Sequence, residues 1–343
     1  MSSPFPFSAI VGQEDMKLAL QMAAVDSSLG GVLVFGDRGT GKTTAMRALA
    51  SLLPKIRVVE GCAFACDPED DPAKLCPACQ AAVAGAPLEV TWRGASVVDL
   101  PLGATEDRIV GALDIEKALA QGIKAYEPGL LAAANRGFLY IDEVNLLEDH
   151  LVDVLLDVSV SGINVVERDG LSIRHAARFI LVGSGNPEEG ELRPQLLDRF
   201  GLSVDVSTPA DVDQRMSIVR LRDEYETDAA GFCQRYALKD QRIRERIESA
   251  RATLADTIVD DATLRRMSEL CLALGTDGLR GELTLLRACR AFAALEGDDY
   301  VNEVHIGRIA AMALAHRLRR DPLDESGSSV RVQRAMDTLG LAA

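Results

Sequence analysis

The sequence predicts an α/β nucleotide-binding domain followed by an all-α domain, and three observations carry that prediction. Short apolar runs alternate with helical stretches to about residue 205, helical spacing dominates afterwards, and an early apolar run ends in a glycine-rich loop that opens a helix. Val32–Phe35, Ser96–Leu100, Phe138–Ile141, Phe179–Val182 and Leu202–Val206 are the candidate strands. Short continuous apolar runs of this kind suit strands buried on both faces of a parallel sheet. Ligands of such sheets gather beyond the carboxyl ends of the strands. Gly36, Asp142, Glu143 and Asn186 follow those ends and should converge on one crevice.

The loop after the first strand carries the most specific chemistry. Gly36-Asp37-Arg38-Gly39-Thr40-Gly41-Lys42-Thr43 fits Gly-x4-Gly-Lys-Ser/Thr, with a helical stretch from Thr44 to Leu53 behind it. The glycines let backbone N–H groups close around phosphates and the helix N-terminus favours their charge. Lys42 would reach the β and γ phosphates, and the Thr43 hydroxyl would complete a Mg²⁺ shell. The loop is therefore read as a nucleoside triphosphate site.

Phe138–Ile141 ends in the paired acids Asp142 and Glu143. The first carboxylate is expected to hold magnesium and the second to orient and deprotonate the attacking water. Consecutive strand residues point to opposite faces, so both reach the site only if the strand ends there. A further apolar run leads through Gly183-Ser184-Gly185 to Asn186, whose amide could polarise the water or the γ-phosphate. Leu196-Leu197-Asp198-Arg199-Phe200 then sets an arginine between apolar anchors. An arginine that reaches a neighbouring chain's γ-phosphate can contribute ~10³ to 10⁵ in rate. Arg199 is the first candidate for that role and Arg193 the second.

At 343 residues the chain has material for about two domains. The expected division is 1–207 and 208–343, with Thr208-Pro209-Ala210-Asp211 as linker. Beyond it 241–254, 261–274, 283–295 and 301–319 show helical spacing. Asp260 or Asp261 and Asn302 are expected starts, and Gly275 and Gly297 expected stops. A net charge of -15 argues against nucleic acid and anionic membranes as partners. Arg242, Arg244 and Arg246 read as one solvated helix face. No apolar run approaches the ~20 residues of a membrane span, and Met1-Ser2-Ser3-Pro4 has no signal pattern, so a cytoplasmic location is expected.

Cys62, Cys66, Cys76 and Cys79 form Cys-x3-Cys-x9-Cys-x2-Cys in a Pro- and Asp-rich loop. Four thiolates satisfy zinc's tetrahedral preference, but the first pair is loosely spaced, and free or redox-sensitive thiols are the favoured alternative. Cys233, Cys271 and Cys289 lie on helical patterns as small core residues. His150, His175, His305 and His316 show no metal-ligand spacing.

The order of glycine loop, Asp-Glu strand, Asn-ended strand, late arginine and helical lid resembles the AAA+ ATPases. Within them Pro128-Gly129-Leu130-Leu131, Leu139 to Leu147 and Asn186 to Gly201 resemble the magnesium chelatase ATPase subunits of chlorophyll and bacteriochlorophyll synthesis. The similarity runs from Phe7 to the helices around Arg280. It implies that ATP with Mg²⁺ is the ligand, that Ile10, Val11, Gly12 and Gln13 border the adenine, and that Arg280 is a lid arginine sensing nucleotide. It implies two inserts, near 111–129 and 164–173; the second has its own support in alternation around a turn at Asp169-Gly170. It also implies a homo-oligomeric ring, a hexamer, with two partners: a second AAA+ subunit carrying an adhesion-type domain, and a large porphyrin-binding subunit. With 4% aromatic residues and no aromatic cluster, the chain itself is not expected to bind the porphyrin. The chain ends soon after its lid, as expected of the simple ATPase subunit. The rival readings are an AAA+ chaperone that remodels or metallates another protein, a helicase-like DNA motor, and a nucleotide-gated scaffold. The acidic balance and a hairpin whose Arg168 stands alone count against the helicase.

Overall fold

The computed structural model describes residues 4–37, 39–83, 87–121, 125–168, 171–186, 190, 192–318 and 327–341. All five apolar runs are strands of one sheet: β1 (Val32–Gly36), β2 (Val97–Leu100), β3 (Phe138–Ile141), β4 (Ile180–Gly185) and β5 (Leu202–Val206). Their order is β5-β1-β4-β3-β2 and every pairing is parallel. The register sets Phe35 beside Gly185 and Gly183 beside Ile141, so the loops after β1, β3 and β4 open at one edge. β4 continues past its apolar run through Gly183, Ser184 and Gly185, which aims Asn186 at that edge.

Because successive strand residues alternate faces, the runs feed two separate cores. Val32, Val34, Phe138, Tyr140, Val182 and Val204 pack with the helices α1 (Glu14–Val25) and α2 (Lys42–Leu52). Leu33, Leu139, Ile141 and Leu181 pack on the other face with Leu151, Leu155 and Leu156 of α3 (Asp149–Ser161). A fully buried side chain of this size contributes ~1.5–3 kcal/mol, so both faces hold the sheet rigid behind its loops.

Two antiparallel pairs project from this body. Gly111–Leu113 pairs with Tyr126–Pro128 around the short helix Ile115–Gln121, and Ile163–Arg168 pairs with Leu171–Ala176. Asp169 and Gly170 at the second turn lie outside the described residues.

The expected linker Thr208–Asp211 leads directly into α4 (Val212–Thr227), which the spacing of apolar residues did not signal because polar groups surround it. Asp211 caps it, accepting from the Asp213 and Gln214 amides. The stretch 241–254 proves to be the end of α5 (Ala229–Thr253), a helix of 25 residues. Then come α6 (Asp261–Leu274), α7 (Arg280–Glu296), α8 (Glu303–Leu314) and α9 (Ser328–Leu339). Asp260 and Asn302 are the caps, Asn302 in a reciprocal capping box with His305. Gly275 and Gly297 end their helices in the left-handed region at φ 66° and 82°.

The arginine stripe of α5 is corrected by the structure. Arg244 donates to the Leu52 carbonyl at 2.5 Å, Arg246 to Leu295 at 2.7 Å and Arg251 to Ala24 at 2.7 Å. These carbonyls lie at the ends of α2, α7 and α1, where a helix dipole favours a cation. Arg244 of the predicted solvated stripe, with Arg251 beside it, thus fastens the helical region to the α/β body, while Arg246 ties α5 to α7 within the helical region.

Candidate active site

The glycine loop owes its shape to positions that only glycine fills. A Cβ on Gly36 would stand 1.7 Å from the Val206 carbonyl, so β5 runs too close for any side chain. Gly39 and Gly41 take φ of +78° and +85°, and Gly41 caps α2. Lys42 Nζ donates to the Gly36 carbonyl at 2.5 Å and to Asp37 at 3.2 Å, tying the helix start back to the loop. Arg38 lies outside the described residues.

A chain of hydroxyls joins this loop to the acids. Thr43 Oγ1 is 2.9 Å from the Tyr140 hydroxyl, and Tyr140 donates to Asp142 Oδ1 at 3.0 Å. Ser184 Oγ donates to the same carboxylate oxygen at 2.6 Å and accepts from the Glu143 amide at 3.2 Å. Burial pushes the Tyr140 hydroxyl above its ordinary value, which keeps it a neutral donor toward Asp142. Glu143 sits at φ 55°, a left-handed backbone that ends β3. That turn resolves the opposite-face problem: Asp142 and Glu143 both line the cleft with Gly39 to Thr44, Ser184, Gly185 and the buried Asn186. The cleft encloses about 510 Å³. Thr43 and Asp142 offer hard oxygen donors of the kind Mg²⁺ prefers, and nothing lies within 4 Å of a Cβ built on Gly39 or Gly41, so the loop face is open. The residues fit Mg·ATP.

A second cleft of about 540 Å³ continues from the loop. Ile10, Val11, Gln13, Gly39, Thr40, Gly41 and Thr44 line it on one side. Gly12 does not line it, but turns the chain between them at φ +67°. Gln13 is held by its amide to the Ser207 carbonyl at 3.1 Å. The opposite wall comes from Arg215, Ile218, Val219 and Arg222 of α4, none of which was singled out from the sequence. The signal available was Asp211 as a helix cap. Tyr140 and Ser184 were missed likewise; Ser184 is two residues before Asn186 and so shares its face.

The three arginines stand elsewhere. Arg199 donates to Asp157 at 2.9 Å and approaches Asp153 at 3.0 Å, both on α3. Arg193 pairs with Asp149 at 2.6 Å. Arg280 is not brought to the phosphate cleft of its own chain: its guanidinium pairs with Asp198 at 2.7 Å, one residue from Arg199. The same carboxylate takes a 2.8 Å contact from the buried Arg317, which also donates to the Phe200 carbonyl and Thr284. Neither Arg199 nor Arg280 lines either cleft.

The cysteine loop folds into a compact knot. Cys66, Cys76 and Cys79 are buried and Cys62 half-buried, and all four sulfurs lie within 4.8 Å of one another. Cys271 and Cys289 are core residues, as their helical positions imply.

Comparison with known proteins decides the family. Residues 25–189 match the AAA domain family and 264–336 the AAA lid domain family. The chain is 62% identical to the magnesium-chelatase 38 kDa subunit of Acidiphilium rubrum, over 98% of this chain and 97% of that one. It belongs to the magnesium-chelatase 38 kDa subunit family. The corresponding subunit of Cereibacter sphaeroides is 61% identical over 98% of both chains, and the chloroplastic subunit ChlI of Nicotiana tabacum is 50% identical over 96% of this chain and 77% of its own. A chain in a structure of the complex between subunits BchI and BchD of magnesium chelatase, built on a cryo-EM reconstruction, is 59% identical with a TM-score of 0.54, covering 93% of this chain and 97% of that one. A crystal structure of a Cytophaga hutchinsonii protein described as an ATPase superposes with TM-score 0.64 at 15% identity, covering 96% and 91%, and so shares the fold. As a member of that family the chain is an AAA+ ATPase with a helical lid, and among its described residues no helix is long and apolar enough to cross a membrane.

Proposed function

We propose that this AAA+ subunit hydrolyses ATP at the Gly36–Asn186 cleft and that its movements drive insertion of Mg²⁺ into protoporphyrin IX by a larger complex in the cytosol. The observation that carries the reading is the convergence of Lys42, Thr43, Asp142, Glu143 and Asn186 on one cleft in a chain 62% identical to a magnesium-chelatase subunit. Gly36 to Thr44 would cradle the phosphates and Ile10 to Gln13 with α4 would hold the nucleoside. Thr43 and Asp142 would hold the Mg²⁺ of ATP, which neutralises phosphate charge. Glu143 would take a proton from water as its oxygen bonds to the γ-phosphorus and the bond to the bridging oxygen of ADP breaks. Asn186 would orient that water.

The charge of the transition state calls for cations, and among the described residues of the phosphate cleft Lys42 is the one that lines it. Arg199, paired with Asp153 and Asp157, and Arg280, paired with Asp198, would serve a neighbouring chain's cleft in a closed ring, a hexamer. Surface ion pairs such as Arg199 with Asp153 and Asp157 are worth ~0–1 kcal/mol, so transfer to a phosphate costs little. A second AAA+ subunit, as in the BchI–BchD complex, and a large porphyrin-binding subunit complete the assembly. The test combines this chain with both partners, protoporphyrin IX, Mg²⁺ and ATP, and follows the metalloporphyrin spectrum. An ATP-dependent spectral change is expected; its absence, with partners active beside a known ATPase subunit, overturns the reading.

A further inference from the structure

The knot of four cysteines lies apart from the nucleotide cleft, and the ATPase chemistry makes no use of it. Its geometry suits one ion. A tetrahedral zinc with Zn–S bonds of ~2.3 Å holds its sulfurs ~3.8 Å apart; Cys62 and Cys76 are already at 3.8 Å and no pair exceeds 4.8 Å. Four sulfurs that close fit around a single centre and leave no room inside for a multi-iron cluster. None of the four is in a disulfide. The Cys76 amide donates to Cys66 Sγ at 3.2 Å, a bond that orients a thiolate ligand and offsets its charge.

We propose that Cys62, Cys66, Cys76 and Cys79 bind one structural Zn²⁺. The site is closed by four thiolates and has no open position, so its role is to staple rather than to catalyse. What it staples is the base of the projecting pairs. Phe64, between the first two cysteines, stacks on Tyr126 at 6.2 Å and packs at a tilt against His175 at 4.7 Å, and its carbonyl accepts from Asn135 at 2.7 Å. Tyr126 belongs to one projecting pair and His175 to the other. Metal in the knot would therefore fix the root of both inserts, since such binding free energy is folding free energy.

The test is elemental analysis of the full chain purified under reducing conditions without chelator. About one zinc per chain is expected, falling to below about a tenth in Cys76→Ser and in Cys79→Ser, together with a lower melting temperature and faster proteolysis between residues 60 and 80. Should the variants fail to fold, release of one zinc from the wild-type chain by a mercurial reagent, read with a chromogenic chelator, serves instead. Iron in place of zinc, disulfides among the four cysteines, or a fully reduced chain that neither contains zinc nor takes it up stoichiometrically overturns the proposal.

Discussion

The phosphate cleft and the Asp198 edge of the same chain are complementary opposites. The cleft gathers donors and acids, Thr43, Asp142, Glu143, Ser184 and Asn186, around one lysine. The Asp198 edge gathers cations, Arg199, Arg280 and Arg317, around acids that hold them in place. Under the proposed function the two halves would complete each other in phosphoryl transfer, where charge spread over the γ-phosphate is met by positive groups. The ring we propose, with sites formed between copies, would bring these two unlike faces together, as a closed heterologous ring does.

Removing the cation side should have the largest effect. Arg199→Ala is expected to lower ATPase activity by ~10³-fold or more while ATP binding, measured by titration of a fluorescent analogue, changes little. Equal loss of binding would place Arg199 in its own chain's cleft instead. Next comes the acid side: Glu143→Gln should cost ~10²- to 10⁴-fold in turnover, again with binding retained, because only the proton acceptor is lost. Turnover near that of the wild type would remove Glu143 as the base.

Asp198→Asn asks how the edge is held. Its carboxylate faces both Arg280 and the buried Arg317, so the change should cost roughly 2 kcal/mol of stability in urea unfolding and leave Arg280 unpaired. An unchanged midpoint would show that Asp198 merely accompanies the arginines. The smallest effect concerns His316, which donates from Nε2 to the Phe200 carbonyl at 3.0 Å while Nδ1 is closed off without a partner. Burial, then the neighbouring Arg317, push its pKa down to about 3. A folded-state pKa below the unfolded ~6.5 means the contribution is whole above pH 6.5 and is lost as pH falls toward 3. The slope it adds is at most ~1.4 kcal/mol per pH unit because a single proton is at stake, and His316→Gln should flatten stability curves in that window.

What was legible in the sequence follows from short-range physics. Five apolar runs announced the sheet because strands buried on both faces need no polar partner, and Gly36 to Thr43 announced itself because phosphate binding constrains the backbone locally. Asp260, Asn302, Gly275 and Gly297 were readable as caps for the same reason. The rest required distance. α4 has no apolar stripe, since one side faces the nucleotide cleft rather than a core, and only its Asp211 cap betrayed it. Tyr140 looked like a core residue, and it is one, but its hydroxyl reaches past the core to Thr43 and Asp142. Arg280 read, by resemblance, as a lid arginine that senses nucleotide, and only the packing of the helical region showed Asp198 as its partner. The loose spacing of Cys62 and Cys66 concealed how closely the loop folds back on itself.

The divided site is tested most directly by mixing two dead chains. Arg199→Ala and Glu143→Gln chains, each inactive alone and each shown to assemble, are combined in equal amounts with ATP. Where a chain with an intact Glu143 meets one with an intact Arg199, a complete site forms, and random mixing in a ring predicts recovery of up to about a quarter of wild-type ATPase activity. Mixed rings that are verified to contain both chains yet remain as inactive as either parent would contradict an arginine supplied in trans.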